Sequence, residues 1–197
     1  MAKRRRNRSS EFKPDPKAAT WVKTFRLTAL QRLRLTRWLL YVLTIVGCLV
    51  VQDVIMSRVR LFGATTDLAV CAIILITILE GTEVGTVFVL IASTCYYFSG
   101  SAPGAYVIAL LTFLSTGAGM LRQLYWHRSR GSILLFSGIT IVLYELGLFV
   151  VGVTNGLTIA THLGAFLLTG FYSVLAMIPL YSLVYKIGLI GGNTWKE

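Results

Sequence analysis

RVRLFGATTDLAVCAIILITILEGTEVGTVFVLIASTCYYFSGSAPG, residues 58–104, is the stretch whose placement decides the fold. It holds two apolar runs, Leu68 to Leu79 and Val84 to Phe98, joined by Glu80-Gly81-Thr82-Glu83. A helix rises about 1.5 Å per residue, so crossing a hydrocarbon core of about 30 Å takes about 20 apolar residues, and each run is short of that. Two readings follow. Asp67, Glu80 and Glu83 are drawn to the membrane boundary to complete two short spans, or the pair dips in and returns on the same side.

The surrounding composition says which solvent the chain occupies. Of 197 residues, 55% are hydrophobic and only 14% charged, with a mean hydropathy of +0.72. That is one domain's worth of chain with more apolar surface than a soluble core of its size can hide. The chain reads as an all-α integral membrane protein.

A net charge of +11 invites a nucleic-acid reading, but the position of the charge excludes it. Twelve of the 19 Lys and Arg lie in residues 1–37, ahead of the first long apolar run, as in a polytopic chain that keeps its basic residues on the cytoplasmic side. The apolar run Leu39 to Val51 passes into Gln52-Asp53-Val54 without an Ala-x-Ala cleavage site, so it is expected to stay attached as a signal anchor. Cys48, Cys71 and Cys95 sit singly in apolar runs and read as small packing residues.

Taken in order, residues 1–17 are basic and interrupted by Pro, and are expected to form a disordered cytoplasmic tail. In residues 18–37, Trp21, Val22, Phe25, Ala29 and Leu33 share one helical face and Lys23, Arg26, Arg34 and Arg37 the other. This is the pattern of a basic amphipathic helix lying on an anionic lipid surface. Residues 38–187 hold the apolar runs of a six-helix transmembrane domain, and 188–197 a cytoplasmic tail. The first span opens at Trp38, with Trp38 and Tyr41 as interfacial anchors. Later runs cover Ala105 to Leu121, Ile133 to Val153 and Ile159 to Tyr185. Six spans with both termini inside leave 17 basic residues on the cytoplasmic side against two outside, Arg58 and Arg60. A re-entrant dip of residues 58–104 gives the same parity, and charge excludes only a single crossing there.

Ionisable groups at membrane depth are costly unless paired or solvated. Glu145 lies near the middle of a 21-residue apolar run, with no basic residue within a turn of it. It reads either as the centre of a binding surface or ion path, or as a hydrogen-bonded contact that only holds helices together. Asp67 reads first as the N-cap of the helix that follows and second as a ligand group. Glu80 and Glu83 read as carboxylates on an interfacial loop, and Asp53 as a partner for Arg58 or Arg60. His162 and His127 are 35 residues apart, and there is no dense metal-ligand cluster, phosphate loop or nucleophile elbow. No cofactor and no catalysis is expected. Small residues recur at helix-packing spacing, as in Gly81 with Gly85 and Ala160 with Gly164. Gly100-Ser101-Ala102-Pro103-Gly104 is the specific turn among them.

The order Arg60-Leu61-Phe62-Gly63-Ala64, Asp67-Leu68, Glu80-Gly81 with Gly85, Ser99 to Gly104, Leu121-Arg122 and Leu143-Tyr144-Glu145-Leu146 resembles the MreD family of bacterial rod shape-determining membrane proteins, over about residues 39–185. The resemblance implies a multi-pass protein of the bacterial cytoplasmic membrane, without catalysis of its own. In cell-wall elongation it would pair with a single-span MreC-like partner and work beside MreB, RodA and a class B penicillin-binding protein. It also implies a fold similar to the six-helix substrate-binding subunits of vitamin transporters. From that likeness comes the alternative function, a small-molecule-binding subunit in which Asp67, Glu145 and His162 line a pocket. On this resemblance residues 58–104 hold two spans, with Glu80 and Glu83 inside and Gly100 to Gly104 outside. Many members carry Asp where this chain has Tyr96. Asp67, Glu80, Gly100, Pro103, Gly104 and Glu145 are the expected partner-binding or intramembrane polar residues.

Overall fold

A computed structural model describes residues 29–56, 64–125 and 130–190. Over these the protein is built of helices: α1 (Ala29–Val51), extended by a π-helical turn at Gln52–Met56, then α2 (Leu68–Glu80), α3 (Thr82–Phe98), α4 (Tyr106–Tyr125) and α5 (Arg130–Thr154), and, after a 3-10 turn at Ala160–His162, α6 (Leu163–Gly188). Four helical stretches are long and apolar enough to cross a membrane: Leu30–Ile55, Tyr106–Leu124, Arg130–Thr154 and Ala160–Gly188. α2 and α3 are shorter, with 13 and 17 residues.

Side-chain contacts fix the antiparallel order. The start of α1 meets the end of α2 through Arg37 and Glu80, and the end of α1 meets the start of α2 through Gln52 and Ala69. Thr82 at the start of α3 meets Gln123 late in α4. Every Lys and Arg among the described residues, namely Arg32, Arg34, Arg37, Arg122, Arg130 and Lys186, therefore lies toward one end of the bundle, and His162 stands at the other.

α2 is the axis. Each residue from Ala69 to Leu79 is buried, and the helix packs against all five others. A helix that is apolar on every side is stable only where every side is covered, and here the longer helices cover it. Their own outward faces stay apolar, as at Val42, Leu43 and Val46 on α1 and Phe171, Leu175 and Ile178 on α6. That inversion suits a lipid solvent.

At 13 residues α2 is about 20 Å long, shorter than a hydrocarbon core of about 30 Å, and each of its ends leaves main-chain groups that the helix itself cannot satisfy. The longer helices satisfy them. At the N-terminal end the Ala69 N–H donates to Gln52 Oε1 at 3.0 Å and the Asp67 N–H to Ser173 Oγ at 3.1 Å. At the C-terminal end Arg122 donates to the Ile78 carbonyl.

The connection expected over Glu80 to Glu83 contracts to Gly81, whose φ of 90° lies where L side chains rarely go. A Cβ there would also stand 2.9 Å from Gln123 Nε2. Glu80 and Glu83 accordingly belong to helices rather than to a loop. Among the small-residue pairs, the tight one is Gly85, where a Cβ would approach the Thr77 carbonyl oxygen to 2.5 Å. Gly164 and Gly100 have no neighbour within 4 Å of such a Cβ, so among the described residues neither the Ala160–Gly164 pair nor Gly100 mediates close packing.

Two expectations at the N-terminal side change. No helix break separates residues 29–37 from the first span, because α1 runs through Arg37 and Trp38 continuously. Tyr41 is not a lipid-facing anchor but fully buried, since its hydroxyl has a partner inside. Trp21, Lys23, Phe25 and Arg26 lie outside the described residues, as do Arg58, Arg60 and His127.

Candidate functional site

Asp67 stands at the N-cap position of α2, with the Val70 N–H of the first turn bearing on its carboxylate. The same carboxylate accepts from the Tyr96 hydroxyl of α3, at 3.1 and 3.3 Å to the two oxygens. The Gln52 side chain reaches both groups from the turn that follows α1. Each comes from a different element: the wide turn swings Gln52 inward, the one-residue hairpin sets α3 beside α2, and Tyr96 is then carried to the open end of α2. Tyr96 thus hydrogen-bonds a carboxylate and adds no second one beside it.

These residues line a cavity of about 310 Å³ shared with Ser101, Pro103 and Glu145. Leu148 and Phe166 form its apolar wall. Glu145 is 3% exposed, and among the described residues no hydrogen-bond or ion-pair partner meets its carboxylate. The electrostatic neighbour of Glu145 is Asp67, a second acid. Gly170 of α6 faces Glu145, with the site of a Cβ at an ordinary contact distance of 3.6 Å from Glu145 Cγ. At the rim, Ser101 donates to Asp53 at 3.2 Å, which gives Asp53 a partner in the 99–104 turn; Arg58 and Arg60, the partners expected for it, lie outside the described residues. His162 is exposed and is not among the residues lining this cavity.

At the opposite end a second polar cluster forms. Arg37 pairs with Glu80 at 3.1 Å, and Tyr41 donates to Glu80 at 2.7 Å. Arg37 was expected on the lipid surface; it turns inward because α1 crosses the end of α2 there. The Trp38, Tyr41 and Phe88 rings pack around the cluster. Arg34 stays exposed.

The structure therefore unites Asp67, Pro103 and Glu145 at one end and sets Glu80 apart at the other. Gly100 and Gly104 flank the cavity in sequence without lining it. Gln52 and Tyr96 are site residues that sequence reasoning missed as such. Their only sequence signal was a polar or aromatic residue near the end of an apolar run. Among the described residues no group of three or more metal-ligating side chains occurs.

A third feature is apolar. α1 and α6 diverge to leave a groove of about 630 Å³, floored by Leu68 and walled by Leu43, Gly47, Cys48, Pro179 and Leu183. Comparison with protein-family models, with curated proteins and with solved structures finds no match to this chain.

Proposed function

We propose that the protein is a non-enzymatic scaffold of the bacterial cell-wall elongation machinery, resembling MreD. All six helices would lie in the cytoplasmic membrane, both termini would be cytoplasmic, and a single-span MreC-like protein would pack on the bundle. Gathering of the described Lys and Arg residues toward one end supports the orientation. The observation that carries the reading is the groove between α1 and α6. It is apolar, faces outward along two long helices, and has Gly47 at its wall with nothing within 4 Å of a Cβ. A small residue with open space beside it is what close approach of a further membrane helix requires.

Gly47→Phe fills the groove without disturbing the bundle. The expected result is loss of the single-span partner on purification in mild detergent, with loss of rod shape in cells, at unchanged protein level. Full retention of both would overturn the assignment of the groove. A second reading, a small-molecule-binding subunit like those of vitamin transporters, draws support from the cavity at Asp67 and Glu145. It predicts a stoichiometric small ligand in place of a protein partner.

A further inference from the structure

We infer that the cavity at the start of α2 is a binding site for a small organic cation, an ammonium or guanidinium group on a short carbon body. The inference concerns the chemistry of the cavity, and it holds whether the chain works as a scaffold or as a transporter-type subunit.

Three observations converge on it. First, the two carboxyl groups that face the cavity, Asp67 and Glu145, are not treated alike by the protein. Asp67 has its Tyr96 and Gln52 partners, whereas Glu145 is almost wholly buried with none among the described residues. A buried carboxyl group aimed into a cavity without a donor is a costly arrangement unless something else occupies that position. Second, every Lys and Arg among the described residues lies toward the other end of the bundle or is bound there, and His162, at the near end, does not line the cavity. The cavity is acidic and hydroxyl-rich on one side, with Tyr96 and Ser101 beside the acids.

Third, size and wall composition select the kind of cation. A volume of about 310 Å³ equals about ten water molecules at about 30 Å³ each, near the lower limit for small-molecule pockets. Phe166 and Leu148 add an aromatic ring and an aliphatic surface to the lining, suited to the carbon body of such a cation. In the bound state the ammonium or guanidinium would donate to Glu145 and Asp67 together, the charge-assisted geometry that is strongest when desolvated.

Propylguanidinium chloride serves as the probe, with 1-butanol as the neutral control and sodium chloride to match ionic strength. Added to the purified full chain in mild detergent, it is expected to raise the thermal unfolding midpoint saturably, and the controls are not. Glu145→Gln and Asp67→Asn should each weaken that response by about tenfold or more. Both keep side-chain shape, and the midpoint without probe reports whether they fold. Two sources of such a group are told apart in native membranes. A small cation retained in native mass spectrometry identifies a free ligand, while a photo-crosslinker at Thr169 that captures a basic segment of another protein identifies a side chain. Either result supports the inference. It is overturned if the wild-type midpoint does not respond, if both variants respond like wild type, or if a response appears only after Arg58→Ala and Arg60→Ala, which would mean that the chain's own arginines fill the cavity.

Discussion

Arg122 of α4 donates from Nη1 to the main-chain carbonyl of Ile78 at 2.6 Å, and only 5% of Arg122 is exposed. An arginine of a long helix thus closes the C-terminal end of the enclosed short one, where a cation also complements the helix dipole. Arg122→Met keeps the length of the side chain and removes every donor. It is expected to lower stability by about 2 kcal/mol, because a buried carbonyl loses a charged donor, with Arg122→Lys recovering part of the loss. Unfolding followed by helical circular dichroism in mixed detergent gives the difference; a Met variant as stable as the parent would show that Ile78 gains nothing from the contact.

The Arg37, Tyr41 and Glu80 cluster is expected to act as a unit. Tyr41→Phe deletes a 2.7 Å hydrogen bond to a carboxylate, at a cost of about 1.5–3 kcal/mol. Glu80→Gln removes the charge from both the tyrosine and the arginine. The double variant should be less damaged than the sum of the two, with a coupling of about 1 kcal/mol. Strict additivity in the cycle would break the cluster into independent contacts.

Two glycines on outer helices should respond oppositely to alanine. Gly85→Ala drives a methyl group to 2.5 Å from the Thr77 carbonyl oxygen, so α2 and α3 must part, at about 1–3 kcal/mol. Gly47→Ala enters open space and should be neutral or stabilising by up to about 1 kcal/mol, since alanine favours helix. Thermal midpoints of the two variants test the contrast, and equal midpoints would refute the packing difference.

Orientation is open to a labelling test. With Cys95, the exposed native thiol, replaced by Ala, a cysteine introduced at Thr82 should resist a membrane-impermeant maleimide in intact cells and react after the inner membrane is opened. One introduced at Gly100 should react in cells whose outer membrane alone is permeable. The reverse pattern would invert the proposed topology.

Much of this could be read before any tertiary structure. Asp67 and Glu145 stood out because isolated carboxyl groups in apolar runs are expensive, and both line the cavity. Gln52 and Tyr96 carried no comparable signal, since polar and aromatic residues near span ends are ordinary. Arg37 and Tyr41 were misplaced for a related reason. Basic and aromatic residues beside a span read as interfacial by default, and only the crossing of α1 over the end of α2 supplies Glu80, 39 residues from Tyr41. Of the glycine pairs, Gly81 with Gly85 marks a close approach and Ala160 with Gly164 does not, because spacing says where a backbone can approach, not whether one does.

The sequence by itself determined the solvent, the helical class and the gathering of charge toward one end, because apolar excess and basic asymmetry need no knowledge of packing. Only the tertiary structure decided that Leu68 to Glu80 is the enclosed axis, with its ends completed by Gln52, Ser173 and Arg122. The physical reason is that lipid tails are as apolar as leucine. A run such as LAVCAIILITIL satisfies hydrophobicity equally against lipid or against protein, so burial within the bundle is set by length, close backbone approach at Gly85 and the side chains that satisfy the main-chain ends.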